Sequence, residues 1–185
     1  MNSSPPPSQL RSRLTLLLVA AIFFGSFGIA AILRFSGWTP AHSKNLGDLL
    51  QPPKDLSALQ PLDIDGQPYA WAPEKNLWRI VVVPSPDCQS ACAKTLDSLH
   101  RIWLAEGRKA DRIDVLWFGT LPEGPRFRKL IAMRPNTELA AALPEAARAD
   151  TVPVYLIDPS GFLVMHYHAG FNPSDLKKDL DKLLK

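Results

Sequence analysis

The sequence predicts an α/β domain, a mixed sheet flanked by helices, preceded by one transmembrane helix. Three observations support this fold class. Residues 14–33 (LTLLLVAAIFFGSFGIAAIL) carry no charged side chain, and as a helix they are long enough to cross about 30 Å of hydrocarbon. Residues 80–83 (IVVV) form a β-branched run typical of a strand that is buried on both faces. From Cys88 to Trp103, apolar side chains recur at helical spacing.

The apolar segment at residues 14–33 is the predicted membrane anchor. Residues 1–13 are polar and rich in proline and serine, so we predict that they form a cytoplasmic tail. A cleavable signal peptide is the alternative, but its apolar core spans only about 7–15 residues, and no Ala-x-Ala site follows cleanly. Basic residues lie on both sides of the segment, so the charge bias is slight, and a cytoplasmic N-terminus is the orientation that we expect.

The rest of the chain is predicted to be a tether followed by one domain. Residues 34–55 contain several prolines and mixed polar residues, which indicates a tether. Residues 56–185 have the length of a single domain with its own core, and nothing in them repeats. The formal net charge is +3, and the basic residues form no stripe interleaved with aromatic residues, so nucleic acid binding is not indicated.

The order of elements in the domain predicts its topology. The predicted elements are, in chain order, a hairpin (Leu62–Trp71), a strand (Ile80–Val83), the cysteine helix, a second strand (Ile113–Phe118), an irregular segment (Leu121–Arg134), a helix (Thr137–Arg148), a third strand (Val152–Ile157), a turn (Asp158–Gly161), a fourth strand (Phe162–His168) and a last helix capped by Asn172. A helix joins the first two strands, so they should be parallel, while the turn makes the last two antiparallel. This is the order of the thioredoxin fold.

Cys88 and Cys92 are the only cysteines, and the predicted helix places both in its first turns. A helix N-terminus offers unpaired N–H groups and a partial positive charge that favour a thiolate, although Asp87 opposes this locally. Residues four apart on a helix approach closely enough to form a disulfide or to share one soft metal ion such as Cu(I). The pair therefore indicates a redox or metal site, with a structural disulfide as the alternative.

Two segments resemble the Sco/SenC family. The segment from Cys88 to Leu96 (CQSACAKTL) is similar to that family's Cys-x-x-x-Cys-Pro-x-x-Leu segment, and Tyr155–Gly161 (YLIDPSG) is similar to the strand and turn after its third copper ligand. Members are membrane-tethered thioredoxin-fold proteins that deliver copper to, or reduce the thiols of, the dinuclear copper site of cytochrome c oxidase. The resemblance implies a single-pass protein of the bacterial inner membrane with a thioredoxin-like domain in the periplasm. Its partner would be a respiratory oxidase subunit or another copper or thiol protein.

The chain departs from the family pattern at the metal site. Asp150 stands where the family has its ligand histidine, and a carboxylate is a poor ligand for Cu(I). Val152-Pro153 instead resembles the cis-proline that thioredoxins set opposite their cysteines, with an ordinary trans proline of an edge strand as the alternative. Together these departures shift the expectation from a copper carrier toward a dithiol oxidoreductase in which Pro153 lies beside the cysteines.

Three functional hypotheses follow. In the first, Cys88 attacks a partner disulfide and Cys92 resolves the mixed disulfide, which assists assembly of the oxidase copper site by dithiol reduction. In the second, the protein is a copper chaperone in which Cys88 and Cys92 hold Cu(I) with a third ligand from His166, His168 or a methionine. These histidines alternate on one strand face, a spacing that suits chelation. In the third, the protein is a non-catalytic adaptor with a structural disulfide.

Overall fold

The computed structural model describes residues 7–35, 45–146, 148 and 151–185. The chain divides into two compact units, residues 1–42 and 43–185. In the described part of the first unit, helix α1 (Pro7–Phe35) contains an 18-residue window of mean hydropathy 1.8 at Ser12–Ile29, none of it buried. A core helix of a soluble domain would be mostly buried, so the length, composition and exposure of α1 suit a single-pass membrane anchor.

The second unit is a six-stranded mixed sheet with helices on both faces. Its elements are β1 (Asp48–Asp55), β2 (Trp78–Val82), α2 (Gln89–Ala105), β3 (Ile113–Phe118), β4 (Leu130–Met133), α3 (Thr137–Ala142), β5 (Val154–Ile157), β6 (Phe162–Tyr167) and α4 (Pro173–Leu183). The strand order is β1-β6-β5-β2-β3-β4. The parallel pairs are β2 with β3 and β3 with β4, whereas β5 pairs antiparallel with both β2 and β6, and β1 pairs antiparallel with β6. The predicted parallel crossover and antiparallel hairpin are confirmed.

Two cores lie on opposite faces of the sheet. Helices α2 and α4 cover one face, where their buried leucines meet alternate residues of the strands, including Ile80, Val115 and Val154. Helix α3 covers the other face, where Leu139 meets Val81 and its neighbours on β3 and β5. Because β2, β3 and β5 are buried on both faces, their sequences are continuous apolar runs.

Residues Asp48–Asp55 form edge strand β1, whereas the sequence analysis placed them in the tether. Their sequence, DLLQPPKD, contains two prolines, which are typical of linkers but also of edge strands, where one side of the backbone needs no hydrogen-bond donor. The Gln51–Pro52 peptide bond is cis, and the register of β1 against β6 shifts between Leu49 and Lys54. The folded unit therefore includes residues that the sequence pattern assigned to the connection.

Three further segments differ from their predictions. Residues Leu130–Met133 form β4 within the stretch predicted to be irregular, because they gain a parallel partner in β3. Helix α3 ends at Ala142 rather than near residue 148, since Leu143 is already extended. The predicted Leu62–Trp71 hairpin is reduced to a turn closed by one antiparallel bridge, Leu62 to Pro68. At α4 the predicted cap is confirmed, since the Asn172 side chain accepts a hydrogen bond from the Ser174 amide at 3.0 Å.

Candidate redox site

The loop between β2 and α2 places Cys88 at the carboxyl end of a central strand. Ser85 is buried, and its amide donates to the carbonyl of Thr151 at 3.1 Å, which ties this loop to the segment that enters β5. The Cys88 amide donates to the Ser85 carbonyl at 3.2 Å, and Cys88 then occupies the N-cap position of α2. The position of Cys88 is thus set by hydrogen bonds within the loop after β2 and between that loop and the segment before β5.

Cys88 and Cys92 form a disulfide with a Cα–Cα distance of 5.4 Å. The two cysteines differ in exposure: Cys88 is partly exposed, whereas Cys92 is 2% exposed and belongs to the core under α2, near Leu96. Helical spacing explains this difference, because Cys92 shares the buried stripe of α2 while Cys88 precedes the helix. An incoming thiolate can therefore reach the sulfur of Cys88 but not that of Cys92.

A cavity of about 360 Å³ lies in front of Cys88. Its walls come from the loop after β2, the end of β3 and the start of α3; the lining residues are Val83, Pro84, Ser85, Pro86, Cys88, Phe118, Gly119, Thr120, Pro135, Asn136, Thr137 and Ala140. None of these residues is charged, and none is a histidine or a methionine. The cavity fits an uncharged segment of a partner next to the disulfide, and Cys88 is its one soft metal ligand.

The N-terminus of α2 favours a negative charge on Cys88 once the disulfide is reduced. The helix runs for 17 residues, so its first turn carries the positive end of the helix dipole, and acidic residues are absent from that turn. The amides of Ala91 and Cys92 donate to the Cys88 carbonyl at 2.8 and 3.2 Å. Gln89, between the cysteines, has a φ of 27°, which side-chain-bearing residues rarely adopt. The helix dipole therefore favours a Cys88 thiolate, and the neighbouring carboxylate of Asp87 opposes it.

Pro153 directly precedes β5, and its peptide bond with Val152 is not the predicted cis bond. It is buried and is not among the residues that line the Cys88 cavity. Among the described residues the cis peptide bond is Gln51–Pro52, so Val152–Pro153 is trans, and its interpretation as a thioredoxin cis-proline is wrong. A trans proline fits here because β5 begins at the next residue and needs no amide donor before it. A catalytic role for Pro153 stays a prediction.

His166 and His168 lie on the other face of the sheet from Cys92. His166 pairs across strands with Tyr155, whose side chain is in the α3 core, whereas Cys92 is in the core under α2 and α4. The histidines line a separate cavity of about 270 Å³, which shares no lining residue with the cavity at Cys88. The structure therefore does not bring the four predicted copper ligands, Cys88, Cys92, His166 and His168, together in one site. Asp150, at the family's ligand-histidine position, lies outside the described residues.

Asp48 and Glu145 contact the histidines, although the sequence pattern indicates no functional role for either residue. The side chain of His168 lies 2.7 Å from the Asp48 carboxylate and 2.9 Å from that of Glu145. Asp48 lies in the stretch assigned to the tether, and Glu145 in the stretch assigned to a helix. No local pattern could have indicated that either residue meets β6.

The fold and the cysteine pair together define a thioredoxin-like protein, with a disulfide at the start of the helix that follows a central strand. More particularly, the chain belongs to the family described as "Transmembrane-like, thioredoxin-like, C-terminal domain", whose model matches residues 78–185. In a sequence comparison, no curated protein matches the chain.

Solved structures with this fold include Sco proteins and thiol-disulfide interchange proteins. BsSco, a member of the Sco family of cytochrome c oxidase assembly proteins, aligns with a TM-score of 0.53 and 12% identity over 75% of this chain and 97% of its own. A SCO1/SenC family lipoprotein from Bacillus anthracis str. Ames aligns with a TM-score of 0.53 and 15% identity over 74% of this chain and 99% of its own. A thiol:disulfide interchange protein from Chlorobium tepidum TLS aligns with a TM-score of 0.51 and 14% identity over 72% and 97%. The predicted thioredoxin-like fold and the resemblance to Sco proteins are thereby confirmed at the level of fold.

Proposed function

We propose that this protein is a membrane-anchored thiol-disulfide oxidoreductase of the Sco type. One observation carries the proposal: in the Cys88–Cys92 disulfide, Cys88 opens onto an uncharged cavity while Cys92 is sealed beneath it. Thiol-disulfide exchange needs one accessible sulfur to engage the partner and a second sulfur to displace the partner afterwards. A purely structural disulfide has no need of a cavity at one of its sulfurs.

The reaction proceeds in two exchanges. In the reduced protein, the Cys88 thiolate attacks one sulfur of a partner disulfide, so that a mixed disulfide forms and one partner thiolate leaves and takes up a proton. Cys92 then loses its proton and attacks the Cys88 sulfur, which re-forms the Cys88–Cys92 disulfide and releases the second partner thiol. In total, two electrons and two protons pass to the partner, and a separate dithiol donor must reduce the pair again.

The substrate that we propose is an oxidised cysteine pair in the copper-binding part of a respiratory oxidase subunit. The resemblance of the Cys88 to Leu96 segment to Sco/SenC proteins supports this choice, and so does the apolar helix α1, which would hold the domain beside a membrane-bound partner. The predicted location, with the domain on the periplasmic side of a bacterial inner membrane, follows from the same two features. That compartment permits both oxidised and reduced cysteine pairs.

Copper delivery is the competing function, and the described residues fit it less well. A Cu(I) site of the predicted kind needs a third soft or imidazole ligand beside the two sulfurs. The described residues that line the Cys88 cavity include neither histidine nor methionine, and His166 and His168 line a different cavity. Copper therefore remains an expectation that comes from the family resemblance.

A trapping experiment tests the proposed exchange. The full chain in detergent is reduced, freed of reductant and mixed with an oxidised Cys-x-x-x-Cys peptide, and mixed disulfides are measured by mass spectrometry under non-reducing conditions. Cys92→Ser should accumulate the mixed disulfide through Cys88, whereas Cys88→Ser, the matched control, should form at least tenfold less because its remaining thiol is buried. Equal trapping by both variants, or by neither, would contradict the proposed roles.

Two further measurements separate the competing functions. A reduction potential below about −300 mV would indicate a structural disulfide, whereas a value near those of thioredoxins or glutaredoxins supports exchange. Anaerobic titration with Cu(I) and a competing chromophoric chelator tests copper carriage. Binding of one ion per chain that is lost in both cysteine variants would move the conclusion to a copper chaperone.

A further inference from the structure

The pairing of β1 with β6 brings two histidines and a carboxylate onto one face of the sheet edge. In the antiparallel register, Asp48 lies directly opposite His166. His168 directly follows the last residue of β6, and its ring centroid lies 4.8 Å from that of His166. A directly opposed pair and its diagonal neighbour are the positions at which side chains of adjacent strands meet. The register thus places Asp48 beside His166, and the ring contact places His168 next to them.

The ligand-bearing atoms of these three residues are close together. One ligand atom from each of Asp48, His166 and His168 can be chosen so that all three lie within 4.8 Å of one another. The Asp48 Oδ2 atom is 2.7 Å from His168 Nε2 and 3.8 Å from His166 Nε2. In tetrahedral zinc sites, bonds of about 2.0–2.2 Å place the ligand atoms about 3.3–3.5 Å apart. Shifts of about 1 Å in these side chains would reach that geometry.

Two more observations point to a bound ion. His168 Nδ1 lies 2.9 Å from Glu145 Oε2, which is the carboxylate-to-histidine contact that orients metal-binding imidazoles in proteins. His166 Nδ1 is buried and has no hydrogen-bond partner among the described residues, and its Nε2 is too far from Asp48 for a hydrogen bond. The ring of His166 is therefore held beside the other two ligands without serving the fold as a hydrogen-bonding group.

The site has both a floor and an opening. The side chain of His166 is 13% exposed and forms the inner wall, whereas those of Asp48 and His168 are 60% and 59% exposed. The cavity of about 270 Å³ in front of them continues toward Asn172 and Asp175 at the start of α4. An ion can enter from solvent, and water can complete its coordination.

We propose that Asp48, His166 and His168 form a binding site for a borderline divalent transition metal, with Zn²⁺ as the simplest occupant. Two imidazoles and one carboxylate suit such ions, whereas Cu(I) prefers sulfur. When the metal binds, it displaces the proton between His168 Nε2 and Asp48. Glu145 keeps its contact with His168 Nδ1. The cavity at this site shares no lining residue with the Cys88 cavity, and the proposed exchange reaction uses none of the three ligands.

A bound ion would also fasten edge strand β1 to β6. Asp48 is the first residue of β1, which is an edge strand of the sheet and the first strand in the chain. An ion that bonds to Asp48 and to both histidines links the two strands by their side chains. Binding to the folded state alone raises the apparent stability of the domain in proportion to the logarithm of the free ion concentration.

The test uses the full chain in detergent with its disulfide intact, because oxidised cysteines offer no thiolate ligands. Zn²⁺ is titrated by calorimetry, and Co²⁺ by visible absorption. We expect one ion per chain, a tetrahedral or five-coordinate Co²⁺ spectrum without thiolate charge-transfer bands, and a melting temperature that rises with Zn²⁺ concentration.

Substitutions then assign the ligands. His166→Gln and His168→Gln should each weaken binding by at least tenfold, and Glu145→Gln by about tenfold through the lost orientation of His168. His100→Gln is the matched control, because His100 stacks on Phe127 and lies outside the cluster. Circular dichroism and the melting temperature without metal show whether each variant is folded; should a histidine variant fail to fold, Glu145→Gln and Asp48→Asn carry the test.

Three results would overturn the proposal. The first is no saturable binding of Zn²⁺ or Co²⁺ by the oxidised chain. The second is binding that survives unchanged in His166→Gln and His168→Gln. The third is that the histidine variants lower the melting temperature without metal, while Zn²⁺ does not raise the melting temperature of the parent. His168 would then have a purely structural role, as a cation that bridges Asp48 and Glu145.

Discussion

Asp179 on α4 accepts hydrogen bonds from the residues that precede β1, and its replacement should destabilise the protein strongly. The residue is 1% exposed. Its Oδ2 atom accepts hydrogen bonds from the amides of Leu46 and Gly47 at 2.8 and 2.9 Å and from the Tyr167 hydroxyl at 2.9 Å. Its Oδ1 atom accepts from Lys182 Nζ at 2.7 Å. One buried carboxylate thus binds the entry segment, β6 and its own helix.

The expected loss follows from these contacts. A hydrogen bond to a charged group contributes about 1.5–3 kcal/mol, and one between neutral groups about 0.5–1.5 kcal/mol. Asp179→Asn keeps an acceptor but loses its charge, so the bonds from Leu46, Gly47 and Tyr167 weaken by about 1 kcal/mol each. The bond from the partly exposed Lys182 contributes less than about 1 kcal/mol, and we expect a total loss of about 3 kcal/mol. Asp179→Ala also leaves two amides and a hydroxyl without their acceptor, so we expect a loss of about 4 kcal/mol.

The effect should depend on pH. Burial raises the pKa of Asp179, but hydrogen bonds from Lys182, Gly47, Leu46 and Tyr167 outweigh it and hold the pKa below its usual value. A carboxyl group whose pKa is lowered by folding stabilises the protein fully above its unfolded pKa of about 3.9, and this contribution is lost as the pH falls through the folded pKa. The difference between the parent and Asp179→Asn should therefore be constant above about pH 5 and shrink at lower pH.

Urea unfolding of the full chain in detergent, followed by tryptophan fluorescence, measures the loss, and hydrogen exchange of the Leu46 and Gly47 amides locates it. Asp181→Asn is the matched control on the same helix, because Asp181 pairs with Lys177 at 2.7 Å with both side chains well exposed. That pair should contribute less than about 1 kcal/mol. The reasoning fails if Asp179→Asn costs no more than Asp181→Asn, or if its cost at about pH 2.5 is the same as at pH 7.

Two further predictions concern a turn and the anchor. Gly161 has a φ of 93°, and an added Cβ would lie 3.0 Å from Ser57 Cα, so Gly161→Ala should lower the free energy of unfolding by about 2 kcal/mol or more. The control Gly170→Ala has a φ of 76° but open space around the added carbon, so it should lose only about 1 kcal/mol; equal losses would rule out the steric contribution. For the anchor, the full chain should resist extraction from membranes by alkaline carbonate, whereas a variant without residues 1–35 should be released; a released full chain would contradict the membrane role of α1.

The candidate site was only partly predictable from the sequence. Helical spacing indicated that Cys88 and Cys92 share the first turns of a helix, and the disulfide between them confirms their proximity. Spacing also indicated that His166 and His168 lie close together on one strand; their rings are in contact, although β6 ends at Tyr167, before His168. Residue spacing could not indicate which face of the sheet His166 occupies, because that depends on the register of β6 against β5. The register turned the histidines away from Cys92 and toward Asp48.

Elements that a local pattern specifies were predictable from the sequence by itself. The β-branched run after Arg79 and the run Ile113–Phe118 became central strands, because burial on both faces requires continuous apolar sequence. The cap at Asn172 was confirmed because it satisfies the amides of its own helix.

Only the tertiary structure decided what depends on distant partners. Strand β1 is a strand because β6 offers it an edge, although its prolines are equally typical of a linker. Arg79 is fully buried because the Tyr69 hydroxyl and the carbonyls of three loops receive its hydrogen bonds. Chain segments that are far apart in sequence meet only when the sheet assembles, so the edge strand, the buried charge and the histidine cluster have no local signature.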